Sequence, residues 1–162
     1  MEISTDLKQM YQEIILDLAK EENNKLSIEK FASRTIQNNG NKNLIISKQF
    51  NPSCGDKVFA AASFEGSKFS EFFWAGIGCN ISMAAANYLG EFIPGKTADE
   101  VMDIYNLFYE LMNSRGEGLP DEQMDKLGDL SAFQGVAKFP ARIKCALLSW
   151  EAVKDIIRAK AA

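Results

Sequence analysis

Three short β-favouring runs lie close together in the middle of this chain, and helical patterning takes up most of what surrounds them. Residues 44–50 form the first run, which Pro52 stops. Residues 57–64 and 68–75 form the second and third, separated by Glu65-Gly66-Ser67. A Gly-containing turn between two such runs predicts a hairpin, and the three together predict an antiparallel sheet.

Ahead of the sheet, Leu7, Met10, Tyr11, Ile14, Ile15 and Leu18 recur at three- and four-residue steps. That spacing predicts an amphipathic helix with a broad apolar stripe, capped near Thr5 or Asp6. The charged, Asn-rich residues 21–25 end it. Residues 27–36 fit either a short helix or an irregular connection, and residues 37–43, with four Asn and one Gly, read as a turn or loop. Beyond the sheet, residues 81–93 are helical in character. Thr97-Ala98-Asp99-Glu100 is a capping box, in which the Thr and Glu side chains satisfy free backbone N–H groups. Val101, Ile104, Tyr105, Phe108, Leu111 and Met112 continue that helix towards Gly116 as its C-cap. Residues 116–129 read as a polar loop. Pro140 suits the first turn of a last helix, with Ile143, Leu147, Trp150, Val153 and Ile157 as its buried face. Strands first and helices after predict an α+β domain, its helices packed on one face of the sheet.

At 162 residues the chain fits one domain, residues 1–162, that can bury a core without disulfide staples. A net charge of −4 argues against nucleic-acid binding, which needs clustered Lys and Arg. The polar, acidic start is unlike a signal peptide, and no run is apolar enough to span a membrane. There are three cysteines and no histidine. An odd number of widely spaced cysteines without an export signal speaks against a disulfide framework. Without histidine, chemistry must run through thiols, carboxylates, amines, a metal or a borrowed cofactor.

Cys54 lies in Asn51-Pro52-Ser53-Cys54-Gly55-Asp56, between two strands. Pro and Gly on either side make a tight turn there, so the thiol is either a presented group or a chance loop cysteine. Asp56 can aim a carboxylate at the same point or serve as a turn residue. Cys79 follows Gly76-Ile77-Gly78 and precedes a helix, where free N–H groups and the helix dipole favour a thiolate; a small buried residue would fit equally well. The Gly-Ile-Gly tract is too short and too apolar for a phosphate loop. Cys145 falls off the Ile143–Leu147–Trp150 stripe, so Arg142, Cys145 and Ser149 are expected to share a side distinct from the core-facing one. Arg142 and Lys144 would favour a thiolate at Cys145, although a lone Arg is by default a solvated charge. Three sulfurs and a carboxylate make a chemically complete donor set for zinc, but their spacing alone does not join them.

The stretches Asn51–Asp56, Gly78-Cys79-Asn80-Ile81-Ser82-Met83-Ala84 and Leu130–Ala146 resemble the U-type iron–sulfur cluster assembly proteins, specifically the SufU branch of the IscU/NifU N-terminal-like family. The likeness runs from about Asn51 to Trp150, with an echo in residues 11–17. It implies a SufE/IscU-like α+β fold in the cytoplasm, and Zn²⁺ on Cys54, Asp56, Cys79 and Cys145. It also implies that Cys54 accepts persulfide sulfur from a PLP-dependent cysteine desulfurase of the SufS type, serving further iron–sulfur assembly proteins. Such a protein is a sulfurtransferase-like partner of the desulfurase rather than a free-standing enzyme, with Arg142 assisting. The alternative is a scaffold that holds iron or a transient [2Fe–2S] cluster on the same ligands. The scaffold branch usually has His before its last Cys, where this chain has Lys144; residues 116–129 fit a segment typical of the SufU branch. Two features depart from the family: Asp17-Leu18-Ala19-Lys20-Glu21-Glu22 replaces a usual Asp-His-Tyr-Lys-Asn-Pro, and residues 27–43 exceed the usual connection.

Overall fold

A computed structural model describes residues 3–37 and 43–162. Its element order is α1 (Thr5–Lys20), α2 (Ile28–Gln37), β1 (Ile45–Asn51), β2 (Asp56–Glu65), β3 (Lys68–Ile77), α3 (Asn80–Phe92), α4 (Ala98–Met112), α5 (Asp121–Leu127), a 3₁₀ segment (Gly128–Lys138) and α6 (Pro140–Ala161). The three strands pair antiparallel in the order β1-β2-β3. The expected α+β architecture is therefore what forms.

The β2–β3 turn is tight because Glu65 pairs with Lys68 across only Gly66 and Ser67, with Gly66 at φ +65°. A side chain at Gly66 would be strained in that left-handed conformation. Alternation then sorts the strands' side chains. Val58, Ala60, Ala62, Phe72 and Trp74 join the main core with α3, α4 and α6. Ala61, Phe73 and Ala75 point the other way and form a second small core with Phe31 of α2. The segment at 27–36, left open by the sequence, is thus a helix, and it covers the sheet face opposite the other helices, which corrects the expectation that all helices pack on one face. Arg34 holds it there by stacking 3.9 Å over Phe73 and pairing with Glu71 at 2.6 Å.

The α1–α2 connection is clamped onto the body of the protein. Asn24 O accepts the Trp74 N–H and Leu26 N–H donates to Trp74 O, so this stretch adds a parallel bridge along β3. Asn23 O also accepts the Trp74 indole N–H at 2.9 Å. That oxygen lies where a Cβ at Gly90 would come within 1.9 Å, so only glycine at position 90 lets the connection approach α3. Asn87 Nδ2 donates to Leu18 O at 2.8 Å and ties the end of α1 to the same helix.

Several local expectations need correction. Ser4, not Thr5 or Asp6, caps α1 by accepting from the Leu7 N–H. Helix α4 keeps its capping box at Thr97 and Glu100 but stops at Met112 with Asn113 as its cap, short of Gly116. Gly116 instead serves the 3₁₀ segment, its carbonyl accepting from Gln134 Nε2 at 3.0 Å. The stretch read as a polar loop contains α5, introduced by Pro120. Of the loop expected over 37–43, residues 38–42 lie outside the described residues. Helix α6 begins at Pro140 as expected, but its buried face is shifted: Trp150 and Val153 are buried together with Cys145, Ala146, Leu148, Ser149, Ala152 and Ile156, while Ile143, Leu147 and Ile157 are only partly buried. The cause is that α6 packs against β1, β2, α3, α4 and the 3₁₀ segment at once.

Candidate metal centre

The chain between β1 and β2 turns within four residues. Cys54 N–H and Gly55 N–H both donate to Asn51 O, at 3.2 and 2.8 Å, and Gly55 takes φ +71°. Asn51 and Asp56 then pair across the strands and close the turn. This lifts Cys54 into solvent while Asp56, at the start of β2, is only 1% exposed.

Strand β3 ends beside that turn, and α3 starts directly after it with Cys79 as its N-cap residue. The Cys79 N–H, one of the unsatisfied donors of a helix start, donates to Asp56 Oδ1 at 3.0 Å. A Cβ on Gly78 would sit 2.6 Å from that same oxygen and 2.4 Å from Ser82 Oγ. Glycine at 78 is therefore what allows the carboxylate under the helix start. Cys79 Sγ stays exposed, 3.8 Å from Asp56 Oδ2 and 3.7 Å from Ser82 Oγ.

Cys145 reaches the same point from the second turn of α6. Its thiol is 2% exposed and lies 3.5 Å from Cys54 Sγ and 3.7 Å from Asn51 Nδ2. The ligand atoms of Cys54, Asp56 and Cys145 all fall within 4.8 Å of one another. Cys79 adjoins this group through Asp56. Arg142 does not enter it: its guanidinium is exposed and lies 4.9 Å over the Phe139 ring. The expectation that Arg142, Cys145 and Ser149 share one side is corrected here, since Arg142 faces solvent and the other two are buried.

The charge at this point is one-sided. The Asp56 carboxylate is buried, yet no Lys or Arg pairs with it among the described residues, whose ion pairs are Arg34–Glu71 and Lys154–Glu151. Burying an unpaired carboxylate is costly. Burial, reinforced by hydrogen bonds to Asp56 and Cys54 and by the charge of Cys79, pushes the Cys145 thiol far above its usual range. A bound divalent ion reverses both penalties, because it neutralises the carboxylate and takes thiols as thiolates. The spacing also fits. Tetrahedral zinc with ~2.3 Å bonds to sulfur would set two thiolates ~3.8 Å apart, close to the 3.5 Å between Cys54 and Cys145. Cys54, Asp56 and Cys145 can therefore hold a metal ion.

Asn51 and Ser82 are functional neighbours that the sequence did not single out. Asn51 stood inside a quoted motif, but its amide contact to Cys145 spans 94 positions and no local pattern signals it. Its carbonyl shapes the Cys54 turn while its side chain donates towards a second sulfur. Such outer contacts typically change metal affinity ~10–100-fold when removed. Asn51→Leu keeps the carbonyl and removes the amide, so metal release to a chromogenic chelator is expected to quicken by about tenfold. An unchanged release rate in a normally folded variant would show that this contact does not support the site.

An α+β body that brings two thiols and one carboxylate together at a sheet end, with a third thiol adjoining the carboxylate, is a thiol-centred protein. Residues 10–146 match the NifU-like N terminal domain, and the chain belongs to that family. It is 32% identical over 154 residues to the zinc-dependent sulfurtransferase SufU of Bacillus subtilis, covering 95% of this chain and 93% of that protein. It is 34% identical over 111 residues to the iron–sulfur cluster assembly scaffold protein IscU of Streptococcus pyogenes, covering 68% and 67%. Among solved structures, a SUF-system iron–sulfur scaffold protein, SufU, from Fervidobacterium islandicum aligns with a TM-score of 0.69 at 28% identity, covering 92% of this chain and 97% of that one. The resemblance to the SufU branch drawn from three motifs thus extends to nearly the whole chain. Among the described residues no helix is long and apolar enough to cross a membrane.

Proposed function

We propose that this chain is one U-type domain that works as a zinc-dependent sulfur-transfer protein of iron–sulfur cluster assembly. In this reading it accepts persulfide sulfur on Cys54 from a PLP-dependent cysteine desulfurase of the SufS type. The observation that carries it is the contrast within the cluster: an exposed loop thiol, Cys54, touching a buried helix thiol, Cys145, at 3.5 Å. The name of the Bacillus relative points the same way.

Zinc on Cys54, Asp56, Cys79 and Cys145 would keep the thiols deprotonated and shielded from oxidation. Cys54 is the donor best able to leave, because its turn hangs from one carbonyl by two hydrogen bonds and belongs to no helix. As a free thiolate, Cys54 would attack the terminal sulfur of the desulfurase persulfide. A new S–S bond forms at Cys54, the persulfide bond on the desulfurase breaks, and the desulfurase cysteine departs as a thiolate. Asp56 stays with Cys79 through its backbone N–H, and Cys145 stays on α6, so three donors keep their places. Arg142, exposed three residues before Cys145, offers a fixed positive charge to the anionic sulfur arriving at this edge. Reduced thiols of this kind belong in a reducing compartment such as the cytoplasm, from which further assembly proteins would draw the sulfur.

Turnover of cysteine by the desulfurase, measured with and without this protein, tests the reading. Faster turnover together with colourless, zinc-containing protein is the expected outcome. A scaffold role is the second reading, favoured by the IscU name of the streptococcal relative. Brown, iron-containing protein that leaves turnover unchanged would establish the scaffold instead.

A further inference from the structure

A groove enclosing about 500 Å³ runs beside the thiol cluster, between α1, the start of α3, the 3₁₀ segment and the start of α6. Its floor is apolar, with Tyr11, Ile15 and Leu16 on α1 facing Ile81 and Val136. Its rim carries Lys8, Lys138 and Arg142, and none of its fourteen lining residues is acidic. That is a local reversal of charge in a chain whose net charge is −4. None of the three cations forms an ion pair among the described residues. The groove also leads to the site. Asn80 in its wall follows Cys79 directly, and Arg142 and the half-exposed Phe139 precede Cys145 on the same helix start.

We infer that this groove seats an acidic segment of the sulfur-donating partner, one whose carboxylates meet Lys8, Lys138 and Arg142 while a large apolar side chain enters between α1 and the 3₁₀ segment. The inference rests on the sulfur-transfer reading for the partner's identity, and on charge complementarity for the segment's chemistry. An apolar anchor ringed by opposite charge is how a few residues supply most of an interface's affinity and set its register. Docking here places the partner beside the start of α3 that carries Cys79 and the start of α6 that carries Cys145, while no thiol lines the groove itself.

The test uses the zinc-loaded full chain and its cysteine desulfurase, reading direct binding and cysteine turnover in parallel. Lys8→Glu combined with Lys138→Glu is expected to weaken binding at least tenfold. The half-saturating concentration in the turnover assay should rise by the same factor, with plateau rate and zinc content unchanged. Leu16→Ser, at an exposed floor position, should weaken binding several-fold. Lys30→Glu combined with Lys126→Glu makes the same change of net charge at two positions that do not line the groove, and should leave binding unchanged. Equal weakening by both pairs, no weakening by the first, or no binding of the wild-type protein would overturn the groove. Binding that the groove variants weaken, without any stimulation of turnover, would keep the groove and reject the sulfur-transfer reading.

Discussion

Cys54→Ser is expected to reduce the desulfurase to its unassisted rate, and a persulfide trapped on the wild-type protein is expected on Cys54 by mass spectrometry. The prediction follows from how the three thiols are held. Cys145 is 2% exposed and fixed to a helix packed on both the sheet and other helices. Cys79 is exposed but starts α3, and its backbone N–H is committed to Asp56. Cys54 alone combines exposure with a turn that can shift by itself. Serine is nearly the same size, so the turn should persist and the loss should be chemical rather than structural. Extra sulfur found only on Cys79 or Cys145, with Cys54→Ser still active, would refute the assignment.

Removing the metal is expected to lower the melting temperature by roughly 10 °C. The donors within reach of one another come from the β1–β2 turn, the start of β2 and α6, so one ion would tie the sheet end to the last helix. Ligand held at about 1,000 times its dissociation constant stabilises by ~4 kcal/mol. For a domain of this size each kcal/mol is worth ~2–4 °C. The metal-free chain should still unfold cooperatively, because the main core joins sheet, α3, α4 and α6 without help from the cluster. A chelated protein that melts at the temperature of the loaded one would show that no ion links these elements.

What the sequence revealed depended on how strongly each segment repeats. The three strands, the capping box of α4 and the proline start of α6 all emerged near their observed positions, because turn chemistry and capping are local signals. Helix α5 did not, and α2 was one of two readings left open; α5 is two turns long and buries only Leu127, too little for a repeat, while α2 buries only Phe31. The four candidate ligands were legible through their motifs, and the fold brings Cys54, Asp56 and Cys145 together from positions far apart in the chain. The burial of Cys145 and Ser149 was not legible. Periodicity assumes that a helix has one buried stripe, whereas α6 is enclosed by several elements and buries small polar residues between its apolar ones. Asn51 was missed for a related reason: its partner sulfur is fixed by tertiary packing alone.

The unpaired carboxylate of Asp56 has a consequence for which ions the protein can tell apart. Buried and without a cationic side chain paired to it, it would attract any divalent ion by charge alone. Magnesium and calcium, however, require about six or more oxygen ligands, and magnesium gives up its water shell reluctantly. Here one carboxylate stands among sulfurs, and Asn51 directs its amide at sulfur rather than at an incoming ion. Charge therefore recruits while softness selects. An abundance of hard ions should compete poorly at this site, and a scarce thiophilic ion can occupy it in their presence.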